Sequence, residues 1–302
     1  MPDSGHISLE AIVIGLSALP RLTYLCIEFE QSGTIRLPPP STVARALLPA
    51  LTEFLFFGVS EYLEDIMARI ELPRLKTLTA VYEQHVFDIR QIISHSQTLG
   101  PFDRGDVIFM ISAVCIRLYQ SEEIDPPQML ELGIDERVVA LPGQQVSSLA
   151  QKCTLSSSLL SSVTGLDIGN DLIFSYVDFS YVDDSDLEVL RHNPEWLVLF
   201  HPFCAVRTLR LSCKLQSFII SSLLGHTRES VTEVLPGRQN LYLHDRPWQD
   251  SVEEQAIEQF IAARQNSDRP VTVHRLPENN SDWCKPIGAP PPPQAGLLWN
   301  IS

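Results

Sequence analysis

Two pairs of side chains have residue types and spacings that could support chemistry. His201 and Cys204 are both metal-ligand types and flank Pro202, but structural zinc requires a full tetrahedral set of ligands and the surrounding sequence offers no others. His244 precedes Asp245, and a His–Asp pair could act as a general base, yet no nucleophile stands at a defined spacing from it. Neither pair therefore predicts a metal site or a catalytic centre.

The acidic cluster at 183–186 and the absence of the common catalytic motifs also predict neither a metal site nor a catalytic centre. Asp183, Asp184 and Asp186 offer oxygen ligands of the kind that calcium prefers, but the glycine and the distal glutamate of an EF-hand loop are missing. A solvated helix start is the simpler interpretation. The chain contains no phosphate-binding loop, no G-x-G-x-x-G, no G-x-S-x-G and no H-E-x-x-H. We expect no metal, no cofactor and no catalytic residue; an enzyme without a recognisable motif stays as an alternative.

The composition disfavours several classes of protein. With 22 Lys and Arg against 37 Asp and Glu, the 302-residue chain has a formal charge of -15, which disfavours a nucleic-acid-binding surface. The longest nearly uninterrupted apolar stretch, residues 107–116, is too short for a bilayer-spanning helix. The apolar stretch 11–19 is not preceded by Lys or Arg, unlike a secretory signal. These features predict a cytoplasmic or nuclear protein without nucleic-acid or membrane partners.

The cysteine spacing agrees with an intracellular location. The 6 cysteines are scattered along the chain without a C-x-x-C motif. This pattern indicates neither a disulfide framework nor a zinc ribbon, so we expect the cysteines to be small buried residues.

An internal repeat predicts the elements that would position any site. The phrase L-P-x-L-x-x-L, followed after one residue by an apolar residue, starts at Leu19, Leu48 and Leu72. These starts are 29 and 24 residues apart, within the period typical of leucine-rich repeats. Weaker copies cover residues 163–168, 206–211 and 235–243. The intervening region 102–141 is expected to hold one or two degenerate units.

Each phrase predicts a short strand that is followed by a helix. Residues 25–29 alternate between core-type and surface positions, which is the period of a strand with one buried face. Residues 60–70 carry an apolar stripe at helical spacing, with Ser60 as the candidate N-cap. A capping box at 251–254 opens the last helix. Further helix candidates are residues 87–94, 145–153 and 215–224.

Repeated strand–helix units at this period predict an α/β fold. The expected architecture is a leucine-rich-repeat-like curved solenoid with a mostly parallel sheet and helices on the convex side. We assign residues 1–276 to this solenoid. The Pro-rich residues 277–302 lose the repeat and are expected to form a disordered tail, with an SH3- or WW-type ligand as the alternative.

Strand residues that face away from the core would line up as columns on the concave face, which is the candidate protein-binding site. The selected side chains are Tyr24, Glu28, Glu53, Leu55, Phe57, Thr79, Val81, Arg210, Tyr242 and His244. Leu55, Phe57 and Val81 matter most because apolar side chains on a solvated face are typical anchors for a protein partner. A covering loop, or a strand register shifted by one residue, would bury them instead.

Several stretches, taken in order, carry a family resemblance. They are LPALTEF at 48–54, GVSEYLED at 58–65, ARI at 68–70 with Pro73, VSSLAQ at 146–151, LFHPFCAV at 199–206, VTEVLP at 231–236 and EQAIEQFIAARQ at 254–265. Together they resemble the C-terminal repeat region of fungal F-box proteins with irregular leucine-rich repeats. The resemblance extends over residues 9–275.

The resemblance implies an adaptor function. In such proteins an N-terminal F-box docks on the adaptor subunit of an SCF-type ubiquitin ligase, and the repeats select a protein substrate. No F-box precedes the first repeat here, so a ligase adaptor is expected as a partner only if an F-box is supplied elsewhere. We therefore predict a non-enzymatic protein-binding module with a protein substrate or partner. The alternative is a truncated or non-functional scaffold fragment.

Overall fold

The chain divides into two compact units. The computed structural model describes residues 9–29, 45–83, 99–109, 113–121, 128–135, 142–155, 157–170, 193–212, 215–225, 235, 240–244, 251–276 and 297–301. The first unit comprises residues 1–100, 119–135 and 290–302, and the second comprises residues 101–118 and 136–289. The predicted domains, a solenoid over 1–276 and a tail over 277–302, stay a prediction.

Strands and short helices alternate along the described residues. The strands are β1 Tyr24–Phe29, β2 Ala46–Leu47, β3 Glu53–Gly58, β4 Ile70–Glu71, β5 Thr77–Glu83, β6 Arg104–Phe109, β7 Ala113–Tyr119, β8 Met129–Asp135, β9 Gly165–Asn170, β10 Thr208–Leu211, β11 Asn240–His244, β12 Thr272–Leu276 and β13 Leu297–Ile301. The helices are α1 Leu9–Ser17, α2 Ser60–Met67, α3 Pro142–Leu155, α4 Ser157–Leu160, α5 Glu195–Phe200, α6 Gln216–Gly225 and α7 Ser251–Asn266.

The first unit is built on a parallel sheet. Its strand order is β8-β5-β3-β1-β13, and every neighbouring pair is parallel. The short strands β2 and β4 form a separate parallel pair. Helix α1 packs against β2 and α2, and α2 packs against β3 and β4. The strand β13 lies in the segment predicted to be a disordered tail, and residues 277–296 of that segment lie outside the described residues.

The second unit repeats this arrangement. Its strand order is β12-β11-β10-β9-β6-β7, and the four pairs from β6 to β12 are parallel. Strands β6 and β7 are neighbours in this order, and three residues separate them in the sequence. Along α3, α5, α6 and α7, each helix packs against the next. The predicted α/β class with a mostly parallel sheet is therefore confirmed.

Strand alternation builds the core of each unit. One fully buried row in the first unit comprises Leu25, Phe54, Leu78 and Leu130, which are opposite one another in register. The matching row in the second unit comprises Leu166, Leu209 and Leu241. Because successive strand residues point to opposite faces, the residues between them form the other face of each sheet.

The repeat phrase folds as the same turn each time it occurs. The backbone N–H of its fourth residue donates to the carbonyl oxygen of its first residue. These bonds join Leu22 to Leu19 at 3.1 Å, Leu51 to Leu48 at 3.3 Å and Leu75 to Leu72 at 3.3 Å. Two further copies in the second unit lack the Leu-Pro pair and join Val163 to Leu160 and Val206 to Phe203, both at 3.2 Å. The structural repeat therefore continues where the sequence phrase is weak.

The predicted helices are found where they can be described, with corrections at their ends. Residues 145–153 lie within α3, and α6 and α7 begin within one residue of the predicted starts. Helix α2 begins at Ser60, but Val59 occupies the N-cap position and no side chain caps the helix. The helix stops at Met67 because the chain from Ile70 is extended and pairs with β2. The candidate helix 87–94 lies outside the described residues.

The region 102–141, predicted to hold degenerate repeats, contributes to both units. It supplies β6 and most of β7 to the second unit and β8 to the first, where β8 pairs with β5.

Among the helices that the structure describes, none has both the length and the apolar character needed to cross a bilayer.

Candidate binding faces of the two sheets

The first unit presents a sheet face opposite its buried rows, which we call the first face. Its described side chains are Tyr24, Glu28, Glu53, Leu55, Phe57, Thr77, Thr79, Val81, Met129 and Glu131. All of them are half-buried except Glu28, which is exposed. Cys26 and Gly133 belong to the same face and are buried.

The strand register brings the predicted apolar anchors together. Phe57 lies between Glu28 and Val81 on neighbouring strands, and Leu55 is two residues from Phe57 on the same face. Neighbouring strands are about 4.8 Å apart, which puts these side chains within contact range. Val81 leans over Gly133, where an added Cβ would lie 3.1 Å from Val81 Cγ2. The first face therefore carries an apolar strip that runs from Leu55 and Phe57 on β3 to Val81 on β5.

The charged members of the first face are all carboxylates. Glu28, Glu53 and Glu131 occupy it, and no Lys or Arg stands at an outward register position of β1, β3, β5 or β8. Burial raises the pKa of Tyr24, with smaller contributions from Cys26 and Glu53. Burial also raises the pKa of the Cys26 thiol, against the effect of its hydrogen bond with Tyr24. The Tyr24 hydroxyl and the Cys26 thiol are therefore neutral at neutral pH and add no charge to this face.

The second unit carries a row of contacting side chains opposite its core, which we call the second face. In register across β6, β9, β10, β11 and β12 lie Asp106, Asp167, Arg210, Tyr242 and His274. The guanidinium carbon of Arg210 is 5.3 Å from the centroid of the Tyr242 ring. The Tyr242 and His274 rings stack with centroids 4.5 Å apart and planes 14° from parallel. His274 Nε2 lies 3.1 Å from Asn240 Oδ1.

Asp167 interacts with two arginines on the second face. Its Oδ2 is 3.7 Å from Nη1 of Arg210. Arg104 lies across Gly165, where any side chain would collide with the guanidinium group. Burial raises the pKa of the Asp167 carboxyl, and Arg210 and Arg104 oppose that rise. Oδ1 of Asp167 and Nε of Arg210 are buried without a hydrogen-bond partner in the described part of the chain, so the ion pair is only partly satisfied.

The structure separates the predicted site residues into two groups. Tyr24, Glu28, Glu53, Leu55, Phe57, Thr79 and Val81 lie together on the first face. Arg210 and Tyr242 lie together on the second face. His244 is the last residue of β11, and its side chain lies outside the described part of the chain. Because the anchors alternate with fully buried residues, a register shift of one residue is excluded.

Several residues of these faces were missed by the sequence analysis. They are Met129 and Glu131 on the first face and Asp106, Asp167 and His274 on the second. Asp167 lies between Leu166 and Ile168 in a weak copy of the phrase, so strict alternation would have found it. Strands β6, β8 and β12 carry no copy of the phrase, and their residues had no comparable signal.

The other chemical candidates do not assemble into a site within the described residues. No group of three or more His, Cys, Asp or Glu side chains there could hold a metal ion. His201 and Cys204 are both exposed after α5, while the cluster 183–186 and Asp245 lie outside the described residues. The exposure of Cys204 corrects the expectation of buried cysteines, since only Cys26, Cys115 and Cys153 of the described ones are buried.

Comparison of the chain with known proteins gives no match. No protein-family model, no curated protein and no solved structure matches it. Any functional assignment therefore depends on the residues and the geometry described above.

Proposed function

We propose that the chain is a non-enzymatic protein-binding module with the architecture of a leucine-rich-repeat-like curved solenoid. The observation that carries the proposal is the first face, where half-buried apolar side chains stand in register on a parallel sheet and are bordered by carboxylates. Such a face suits recognition of a protein partner, because aromatic and aliphatic anchors within a polar rim dominate protein-binding energetics.

Three structural features support the solenoid architecture. The repeat turn recurs in both units with the same hydrogen bond. Strands β9 to β12 are added to the sheet in chain order, in one direction. The helices between them pack consecutively, so they line one side of the sheet as repeat units do. Repeats of this kind share a core between neighbours and leave their strand face available for binding.

The resemblance to fungal F-box proteins supplies the partner class. We propose that the chain corresponds to the substrate-recognition part of such a protein and that its partner is a protein. A ligase adaptor would join only through an F-box supplied elsewhere. The proposed location is the cytoplasm or the nucleus.

The test is affinity capture from the source cell extract with quantitative mass spectrometry. Three forms are compared: the native chain, Phe57→Asp on the first face, and Ile14→Asp as a matched control. Ile14 is 60% exposed on α1, so its replacement introduces the same charge outside the face. We expect a protein partner that the native chain and the control retain and that Phe57→Asp loses by about tenfold or more.

Circular dichroism and thermal unfolding of each variant establish that the loss is not due to unfolding. Recovery of chaperones alone, with self-association of the purified native chain, would instead favour a scaffold fragment without retained function. Retention of every partner by Phe57→Asp would contradict the proposal.

A further inference from the structure

The charge on the first face is one-sided. The side chains of Glu28, Glu53 and Glu131 border its apolar strip. A partner that fits this face must therefore bring positive charge around an apolar centre.

Glu28 and Glu53 are available to such a partner. Neither makes an ion pair with a described residue, whereas Glu254 in the second unit is held by Arg275 at 2.6 Å. Glu28 is exposed and Glu53 is half-buried, on neighbouring strands at opposite ends of the strip. Carboxylates that lack an intramolecular cation gain more from an incoming Lys or Arg than those already paired.

The backbone of the first face is fully used. Each of β1, β3 and β5 is hydrogen-bonded to a strand on both sides. A partner cannot add a strand here, because a strand needs free N–H and C=O groups at a sheet edge. A helix satisfies its own backbone groups and can therefore dock on such a face by side chains alone.

We propose that the first face binds a basic amphipathic helix of the partner protein. The apolar stripe of the helix packs on Leu55, Phe57 and Val81, and its flanking Lys or Arg side chains pair with Glu28 and Glu53. This inference rests on the proposed function and adds to it the chemistry of the recognised segment.

The probe is a synthetic helix of about 18 residues with leucines at helical spacing and lysines elsewhere. A peptide with glutamate in place of lysine is its control. Binding to the full chain is measured by fluorescence anisotropy. We expect the basic peptide to bind about tenfold or more tightly than the acidic one, and Phe57→Asp to weaken it by a similar factor.

A charge-matched pair of double variants separates this site from general attraction to an acidic chain. Glu28→Lys with Glu53→Lys should abolish most of the preference for the basic peptide. Glu10→Lys with Glu258→Lys makes the same change in net charge at exposed positions of α1 and α7 and should keep binding within about twofold. Equal losses in the two double variants, or no binding of the basic peptide, would overturn the inference.

The failure of this inference can be told apart from failure of the proposed function. If Phe57→Asp loses a cellular partner that Glu28→Lys with Glu53→Lys retains, the basic-helix inference is wrong and the protein-binding function stands. If no variant of the first face affects capture, the proposed function is wrong as well.

Discussion

The two faces differ in how far their side chains are already engaged. On the second face, Arg210 contacts both Asp167 and Tyr242, and Tyr242 stacks on His274. On the first face, Leu55 and Phe57 stand two residues apart on β3 and are half-buried. The same strand–helix repeat therefore carries one face whose side chains contact one another and one whose apolar side chains remain half-buried.

The difference arises from the residues between the buried ones. In β3 these are Glu53, Leu55 and Phe57, whereas in β10 and β11 they include Arg210 and Tyr242, which reach their neighbours across the strands. The guanidinium group of Arg210 attracts both the Asp167 carboxylate and the Tyr242 ring on the neighbouring strands, whereas Phe57 lies between Glu28 and Val81, neither of which carries a cation. Four predictions test this comparison.

The largest effect is expected when alanine substitutions on the two faces of β3 are compared. Phe56 is fully buried and Phe57 is half-buried on the opposite face. Phe56→Ala should cost about 3–5 kcal/mol of unfolding free energy because it leaves a cavity in the core. Phe57→Ala should cost about 1 kcal/mol or less. Chemical denaturation of both variants measures this, and equal costs would show that the first face is part of a core.

The second-largest effect is the loss of stability expected when the glycine at the end of β3 is replaced. Gly58 has φ 156°, and an added Cβ would lie 3.2 Å from Phe29 Cβ. Gly58→Ala should therefore destabilise the fold by about 1–3 kcal/mol. Gly15 on α1 has no atom within 4 Å of an added Cβ, so Gly15→Ala should stabilise it by about 0.5–1 kcal/mol. Thermal unfolding of the two variants measures these changes in stability. A stabilising effect of Gly58→Ala would contradict the positive φ angle of Gly58.

Double-mutant cycles test whether the second face is internally coupled. Tyr242→Leu combined with His274→Ala should show a coupling energy of about 0.5–1.5 kcal/mol, because the rings stack. Leu55→Ala with Thr79→Ala, a register pair on the first face, should couple by only about 0.2 kcal/mol. Equilibrium denaturation gives both values. Equal couplings would remove the distinction between the faces.

The smallest effect is a pH dependence at Asp167. Burial raises its pKa in the folded protein above the unfolded value, so the folded state takes up the proton more readily. The carboxyl therefore contributes stability below the unfolded pKa that is lost as pH rises through the folded pKa. Relative to Asp167→Asn, the native chain should lose stability from acidic to neutral pH. Denaturation midpoints of both forms across this range measure it, and a constant difference would contradict the raised pKa.

The strand alternation and the repeat could be predicted from the sequence. Leu25 and Phe54 are buried and Tyr24 and Leu55 face the other side, as the period of two requires. The turns at Val163 and Val206 could be located only approximately because their copies lack the Leu-Pro pair.

Long-range arrangements could not be predicted. Strand β8 pairs with β5 although about fifty residues separate them, and hydrophobic periodicity carries no information on such pairing. Arg104 lies across Gly165 on the neighbouring strand, where the lack of a side chain leaves room for the guanidinium group that opposes the rise in the Asp167 pKa. A residue-by-residue pattern along one strand cannot reveal an interaction that forms between two strands.

The central claim is that a protein partner binds the first face and not the second. The most direct test is quantitative affinity capture with Phe57→Asp and with Tyr242→Ala, each first shown to be folded. The account predicts that the partner is lost with Phe57→Asp and retained with Tyr242→Ala. A partner that is retained by Phe57→Asp and lost with Tyr242→Ala would contradict it.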